Sequence, residues 1–136
     1  MNNSPSIAVL LAAYNGMEWI EEQVASISSQ KNTSIQIFIS VDVSNDKTYE
    51  WCQNLARNNS YIKVLPYGER FGGAAKNFYR LIRDVDFSYF DYIAFSDQDD
   101  IWDASKLHHA IKTIKQDDLD GYSSDLVAFW GNGREK

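Results

Sequence analysis

An unbroken apolar run near the start, Ile7-Ala8-Val9-Leu10-Leu11-Ala12-Ala13, constrains this chain more than any other feature. Such a run has no polar face to offer to water. It reads as a strand covered on both sides, as in the middle of a parallel sheet, and it falls far short of the ~20 residues a bilayer-crossing helix needs. Behind it, short apolar runs alternate with segments of helical period. Residues 35–41 are β-branched and strand-like. Residues 61–65 read as a short strand stopped by Pro66, 91–96 as a fourth strand and 125–130 as a fifth. Between them, Trp19, Ile20, Val24 and Ile27 recur at helical spacing after the turn Tyr14-Asn15-Gly16. Tyr49, Cys52, Leu55 and Ala56 share one face of a helix over 46–58. Phe78, Leu81 and Ile82 do the same over 74–85, and Leu107, Ile111 and Ile114 over 104–116. Alternation of this kind predicts an α/β fold, with a mostly parallel, doubly wound sheet and helices on both faces. No repeat, low-complexity stretch or linker interrupts it, so residues 1–136 read as a single domain.

Charge narrows the partners. A net charge of -6 does not suit a nucleic-acid polymer, whose backbone calls for clustered Lys and Arg, so no nucleic-acid partner is expected. A small nucleotide held by a metal ion and backbone donors remains compatible with it. Cys52 is the single cysteine, which excludes an intramolecular disulfide and fits a reducing compartment. Met1 to Ser6 are polar and carry no secretory signal. A cytoplasmic location is therefore expected, with peripheral contact at the inner face of the membrane left open.

In an open α/β sheet, ligands bind where the loops converge at the carboxyl ends of the strands. The chemically interesting residues all fall at such ends: Tyr14 and Asn15 after the first strand, and Asp42, Ser44 and Asp46 after the second. Arg70 follows the third, and Asp97, Asp99 and Asp100 the fourth. Three carboxylates in Asp97-Gln98-Asp99-Asp100 would repel one another unless a cation shares them. Their hard oxygens suit Mn²⁺ or Mg²⁺ together with a diphosphate. The same acids would serve equally as solvated loop residues, with Asp103 capping the next helix. Asp42 can accept from a base or ribose, or act as a turn residue. Asp46 reads as a cap. The loop from Gly68 to Asn77 lets backbone approach a ligand, with Arg70 and Lys76 able to neutralise phosphate. It is neither a P-loop nor a dinucleotide fingerprint. His108 and His109 are adjacent on a helix and point apart, which suits surface positions. Trp19, Trp51 and Trp130 read as core.

Taken together, these segments resemble family 2 glycosyltransferases of the GT-A fold. Ala13-Tyr14-Asn15-Gly16 is similar to the family's opening loop, and Val41-Asp42-Val43-Ser44-Asn45-Asp46 to its paired-acid motif. Gly72-Gly73-Ala74-Ala75-Lys76-Asn77-Phe78 is similar to its glycine-rich loop. Ser96-Asp97-Gln98-Asp99-Asp100-Ile101-Trp102 resembles the Asp-x-Asp region of rhamnosyltransferase-like members. The resemblance implies a nucleoside-diphosphate-sugar donor and a divalent cation, Mn²⁺ or Mg²⁺. It also implies an acceptor that is a sugar or lipid-linked saccharide in bacterial surface-polysaccharide synthesis. By position, Tyr14 and Asp42 would contact the base, Asp97 the ribose or metal shell, Asp99 the metal and Arg70 the diphosphate. Two departures stand out: Val41 where the family carries an acid, and Val43 where it carries glycine. Both are expected to lower nucleotide affinity, and Val41, together with an absent C-terminal half, keeps open an inactive binding domain that retains the fold. In this family the catalytic base comes from the segment after the fifth strand. The chain is therefore expected to be truncated before the acceptor-binding half, and no catalytic base is assigned.

Overall fold

The apolar run becomes β1 (Ser6–Ala13), a strand with a parallel neighbour on each side. The chain continues through α1 (Ile20–Ser28), β2 (Ser34–Val41), α2 (Thr48–Asn58), β3 (Ile62–Val64), α3 (Ala74–Asp84), β4 (Tyr92–Asp97), α4 (Lys106–Gln116), β5 (Gly121–Ser124) and β6 (Val127–Gly131). The computed structural model describes residues 4–97, 101–117, 121–124 and 127–131. Among these, the strands form one sheet in the order β3-β2-β1-β4-β6-β5. The first four in that order are parallel, as expected for strands joined by helical crossovers.

Winding proceeds outward from β1 to β3, then reverses to β4. The reversal sends α3 to the opposite face of the sheet from α1 and α2. Packing follows suit: one buried cluster gathers Val9, Leu11, Ile37, Ile39 and Val41 with residues of α1, α2 and α4, and a smaller one gathers Leu10 and Ala12 with Leu81 and Val85. Every residue of Ile7–Leu11 is 0% exposed. Full burial of each such Leu, Ile or Val contributes about 1.5–3 kcal/mol.

Three expectations need correction. The strand expected at 125–130 is present as β6 but runs antiparallel to β4, and a further strand, β5, precedes it and pairs antiparallel with it. β5 and β6 pair antiparallel with Ser124 opposite Val127, whereas a parallel pair would need a crossover of about a dozen or more residues. Gly121-Tyr122-Ser123-Ser124 is also too polar to announce itself as a strand. Trp19 is 44% exposed rather than core, because it lies in the turn ahead of α1. Ile82 is likewise 44% exposed, since α3 turns Asn77, Arg80 and Leu81 inward. Trp51 packs partly buried against the larger cluster, Trp102 is a core residue, and the side chain of Trp130 lies outside the described residues.

Candidate donor site

Register brings the strand exits together. Ala13 pairs with Val41, and Ala12 with Asp97, so β2, β1 and β4 deliver their last residues side by side at the point where the winding reverses. Open sheets part at such a switch point and leave a crevice.

The loops after β1 and β2 are laced to each other. Asn15, in the left-handed region at φ 44, donates its amide to Ser44 Oγ (3.0 Å) and accepts from the Asn45 amide through Oδ1 (2.7 Å). The Gly16 amide donates to Thr48 Oγ1 at 2.8 Å and the Met17 amide to Asp46 Oδ2 at 3.3 Å. Asp46 also accepts from the Thr48 amide at 3.0 Å, but it lies one residue ahead of the N-cap Lys47 and so orders the entry to α2 rather than capping it. Burial pushes its carboxyl up, but hydrogen bonds from the Thr48 hydroxyl and amide and from the Met17 amide outweigh that and hold it below the ordinary value. Asp103, two residues ahead of the N-cap Ser105 of α4, likewise accepts from the Ser105 amide at 2.9 Å without capping the helix.

Asp42 ties in the third loop. It is 4% exposed, and its Oδ1 accepts the amides of Val43 (2.9 Å) and Phe71 (2.7 Å) while Oδ2 accepts that of Gly72 (3.0 Å). Gly72 adopts φ +81, a backbone region that penalises any side chain. The Tyr67 hydroxyl accepts the Ser44 amide at 2.9 Å, and its ring stacks on Tyr49 with centroids 4.2 Å apart. Beneath the loop lies a buried polar group that sequence reasoning missed. Asn77 Nδ2 donates to the carbonyls of Ser40 (3.0 Å) and Ala13 (3.3 Å), Ser40 Oγ donates to Asn77 Oδ1, and Arg80 donates to Ser40 Oγ (3.0 Å). The available signal was that Asn77 and Arg80 share one face of the helix with the apolar Leu81.

Above these residues opens a cavity of about 650 Å³ lined by Tyr14, Asp42, Arg70, Asn77 and Asp97 among others. Four residues singled out at four separate strand ends thus share one space. Lys76 is exposed on α3 and is not among the lining residues; His108 and His109 are exposed on α4. Asp99, with Gln98 and Asp100, lies outside the described residues. Among the described residues no cluster of three or more His, Cys, Asp or Glu is present, and the acids lining the cavity are Asp42 and Asp97.

The sequence profile of Glycosyl transferase family 2 matches residues 8–135. The chain belongs to that family. Within it, this glycosyl transferase family 2 chain is 48% identical over 126 residues to the dTDP-rhamnosyl transferase RfbG of Shigella flexneri, covering 92% of the chain and 44% of the relative. It is 29% identical over 116 residues to the putative teichuronic acid biosynthesis glycosyltransferase TuaG of Bacillus subtilis, covering 85% and 44%. The chain therefore spans less than half the length of these curated relatives. Among solved structures, the mannosyltransferase PcManGT of Pyrobaculum calidifontis, in complex with GDP-Man and Mn²⁺, superposes with a TM-score of 0.79 at 16% identity, over 93% of this chain and 44% of that one. Residues 1–349 of S. aureus TarS with UDP-GlcNAc give 0.72 at 22% identity, over 96% and 36%. At such identities the likeness establishes the fold, which is the GT-A α/β fold. Among the described residues, no helix is long and apolar enough to cross a membrane.

Proposed function

We propose that this chain is the donor-binding part of a glycosyltransferase, taking a nucleoside diphosphate-sugar with a divalent cation. The acceptor would be a sugar or lipid-linked saccharide of a bacterial surface polysaccharide, met at the cytoplasmic side of the membrane. One observation carries the reading: Tyr14, Asp42 and Arg70 from three loops and Asp97 from the end of β4 converge on a single cavity at the carboxyl ends of the parallel strands.

Each residue has a part suited to its surroundings. Tyr14, 46% exposed at the cavity edge, offers a ring face for a base. A carboxylate has about four lone-pair sites. Asp42 gives three to backbone amides, so one is left to accept a base N–H or a ribose hydroxyl. Arg70 suits the diphosphate, which its fork can grip through two oxygens. Asp97 and Asp99 would hold Mn²⁺ or Mg²⁺. Asp97 lines the same cavity as Arg70, and carboxylate oxygens are the donors such hard cations prefer. When bound, the cation would stabilise charge on the departing diphosphate. RfbG is named for a dTDP-sugar, which makes thymidine diphosphate the first ligand to test.

The inactive-domain reading rests in part on Val41, and the expected loss of affinity on Val41 and Val43. Val41 is 2% exposed and packs in the larger core on the other face of β2, so its side chain takes nothing from the cavity. Val43 serves through its amide, which donates to Asp42. Calorimetry with dTDP and UDP, in Mn²⁺ and in chelator, tests the proposal. Binding that needs the cation is expected. Equal affinity in chelator would remove the metal role, and no heat from the folded chain would return the inactive reading.

A further inference from the structure

The geometry points to Arg80 as the positioning residue that holds segment 66–72, and with it Arg70, over the cavity; this rests on the donor reading of that cavity. Arg80 is 6% exposed, although it is a cation in the middle of a helix. A buried guanidinium is strongly unfavourable unless its donors are used. Here all three nitrogens are engaged. Nε donates to Asp84 Oδ2 at 2.9 Å, one terminal nitrogen to Ser40 Oγ at 3.0 Å, and the other to the Pro66 carbonyl at 2.7 Å. The guanidinium carbon also lies 5.3 Å from the centroid of the Phe71 ring.

Those contacts divide into two sets. Asp84 and Ser40 anchor Arg80 to α3 and to β2, which are rigid. Pro66 and Phe71 bracket the loop that carries Arg70. From the other side, Asp42 takes the Phe71 and Gly72 amides, and Ser44 and Tyr49 engage Tyr67. Arg70 is thus an exposed side chain on a backbone clamped at both ends, with Arg80 beneath it. Pre-fixing the loop lowers the ordering cost of gripping a diphosphate. A lysine would keep the charge but, as a point donor on a flexible stem, could not hold α3, β2 and the loop at once.

The test uses the whole chain with Arg80→Lys, Arg70→Ala and the double variant. Amide exchange at Phe71 and Gly72 is followed by NMR with Leu10 as core reference, and dTDP binding in Mn²⁺ by calorimetry. Arg80→Lys is expected to raise exchange at Phe71 and Gly72 but not at Leu10, and to weaken dTDP by about tenfold. Adding Arg70→Ala should then cost little more, because both changes remove one interaction. Should Arg80→Lys not fold, Ser40→Ala removes one anchor and should give the same pattern at smaller amplitude. Exchange unchanged at Phe71 and Gly72, or raised equally at Leu10, overturns the inference, as does a double variant whose loss is the product of the single losses. Absence of dTDP binding by the unaltered chain would sink the donor reading instead, with the exchange data still deciding whether Arg80 holds the segment.

Discussion

Neighbouring residues of β2 face two different interiors. Ile37, Ile39 and Val41 point into the large apolar cluster under α1, α2 and α4. Phe38 and Ser40 point toward α3, where Ser40 meets Asn77 and Arg80, and Asp42 follows them toward the cavity. One strand thus has an apolar face that supplies stability and a polar face that supplies geometry. Errors on the first should be felt by the whole fold, and errors on the second mainly by one loop and its ligand.

Val41→Asp should break the division most severely. It puts at position 41 the acid that the family resemblance leads one to expect, but here the carboxylate would enter the apolar face. A loss of about 3–5 kcal/mol in denaturant unfolding is expected, with no gain in nucleotide affinity. Tighter dTDP binding by a stable variant would mean that Val41 belongs to the cavity after all. Asp42→Asn comes next, on the polar face. The amide group would turn a donor toward an N–H that now meets an acceptor, loosening the Phe71–Gly72 backbone. The lost charged hydrogen bonds should cost about 1.5–3 kcal/mol of stability, less than at Val41, and affinity for dTDP should fall by about tenfold or more. Ile39→Val sharpens the contrast from the apolar side. It should cost about 0.5–1.5 kcal/mol of stability and leave ligand affinity unchanged.

The smallest effect concerns Cys52, which is 0% exposed on the apolar face. Burial, with the negative charge of Asp46 adding to it, pushes its thiol up to about 12. Because the folded value lies above the ordinary 9.0, the stability tied to the protonated thiol is fully present below that pH and drains away as pH rises from 9.0 toward 12. At about pH 8 a thiol reagent should spare Cys52 until denaturant is added, since neither thiolate nor access is available. Labelling of the native chain as fast as of the unfolded one would contradict the burial.

Much of this was legible from residue order. Ile7–Ala13 marked the central strand without ambiguity, since an apolar run of that length has few other uses in an α/β chain. The strand-end rule then nominated Tyr14, Asp42, Arg70 and Asp97, which share the cavity. Where periodicity was followed too literally it misled, as with Ile82 and Trp19. A helix can bury Asn77 and Arg80 if another element supplies their partners, and those partners lie 37 and 40 positions away at Ser40.

The sequence alone determined the kinds of element, their order, the parallel centre of the sheet and the loops on which polar chemistry could gather. These follow from local patterns of apolar and turn-forming residues, which act over a few positions of chain. Tertiary structure decided the rest: the antiparallel turn-back of β6, the commitment of most of the Asp42 carboxylate to the Phe71–Gly72 backbone, and the burial of Arg80 beneath the loop that carries Arg70. Each depends on which donor meets which acceptor across tens of residues. Hydrogen bonding sets that only once the strands are in register.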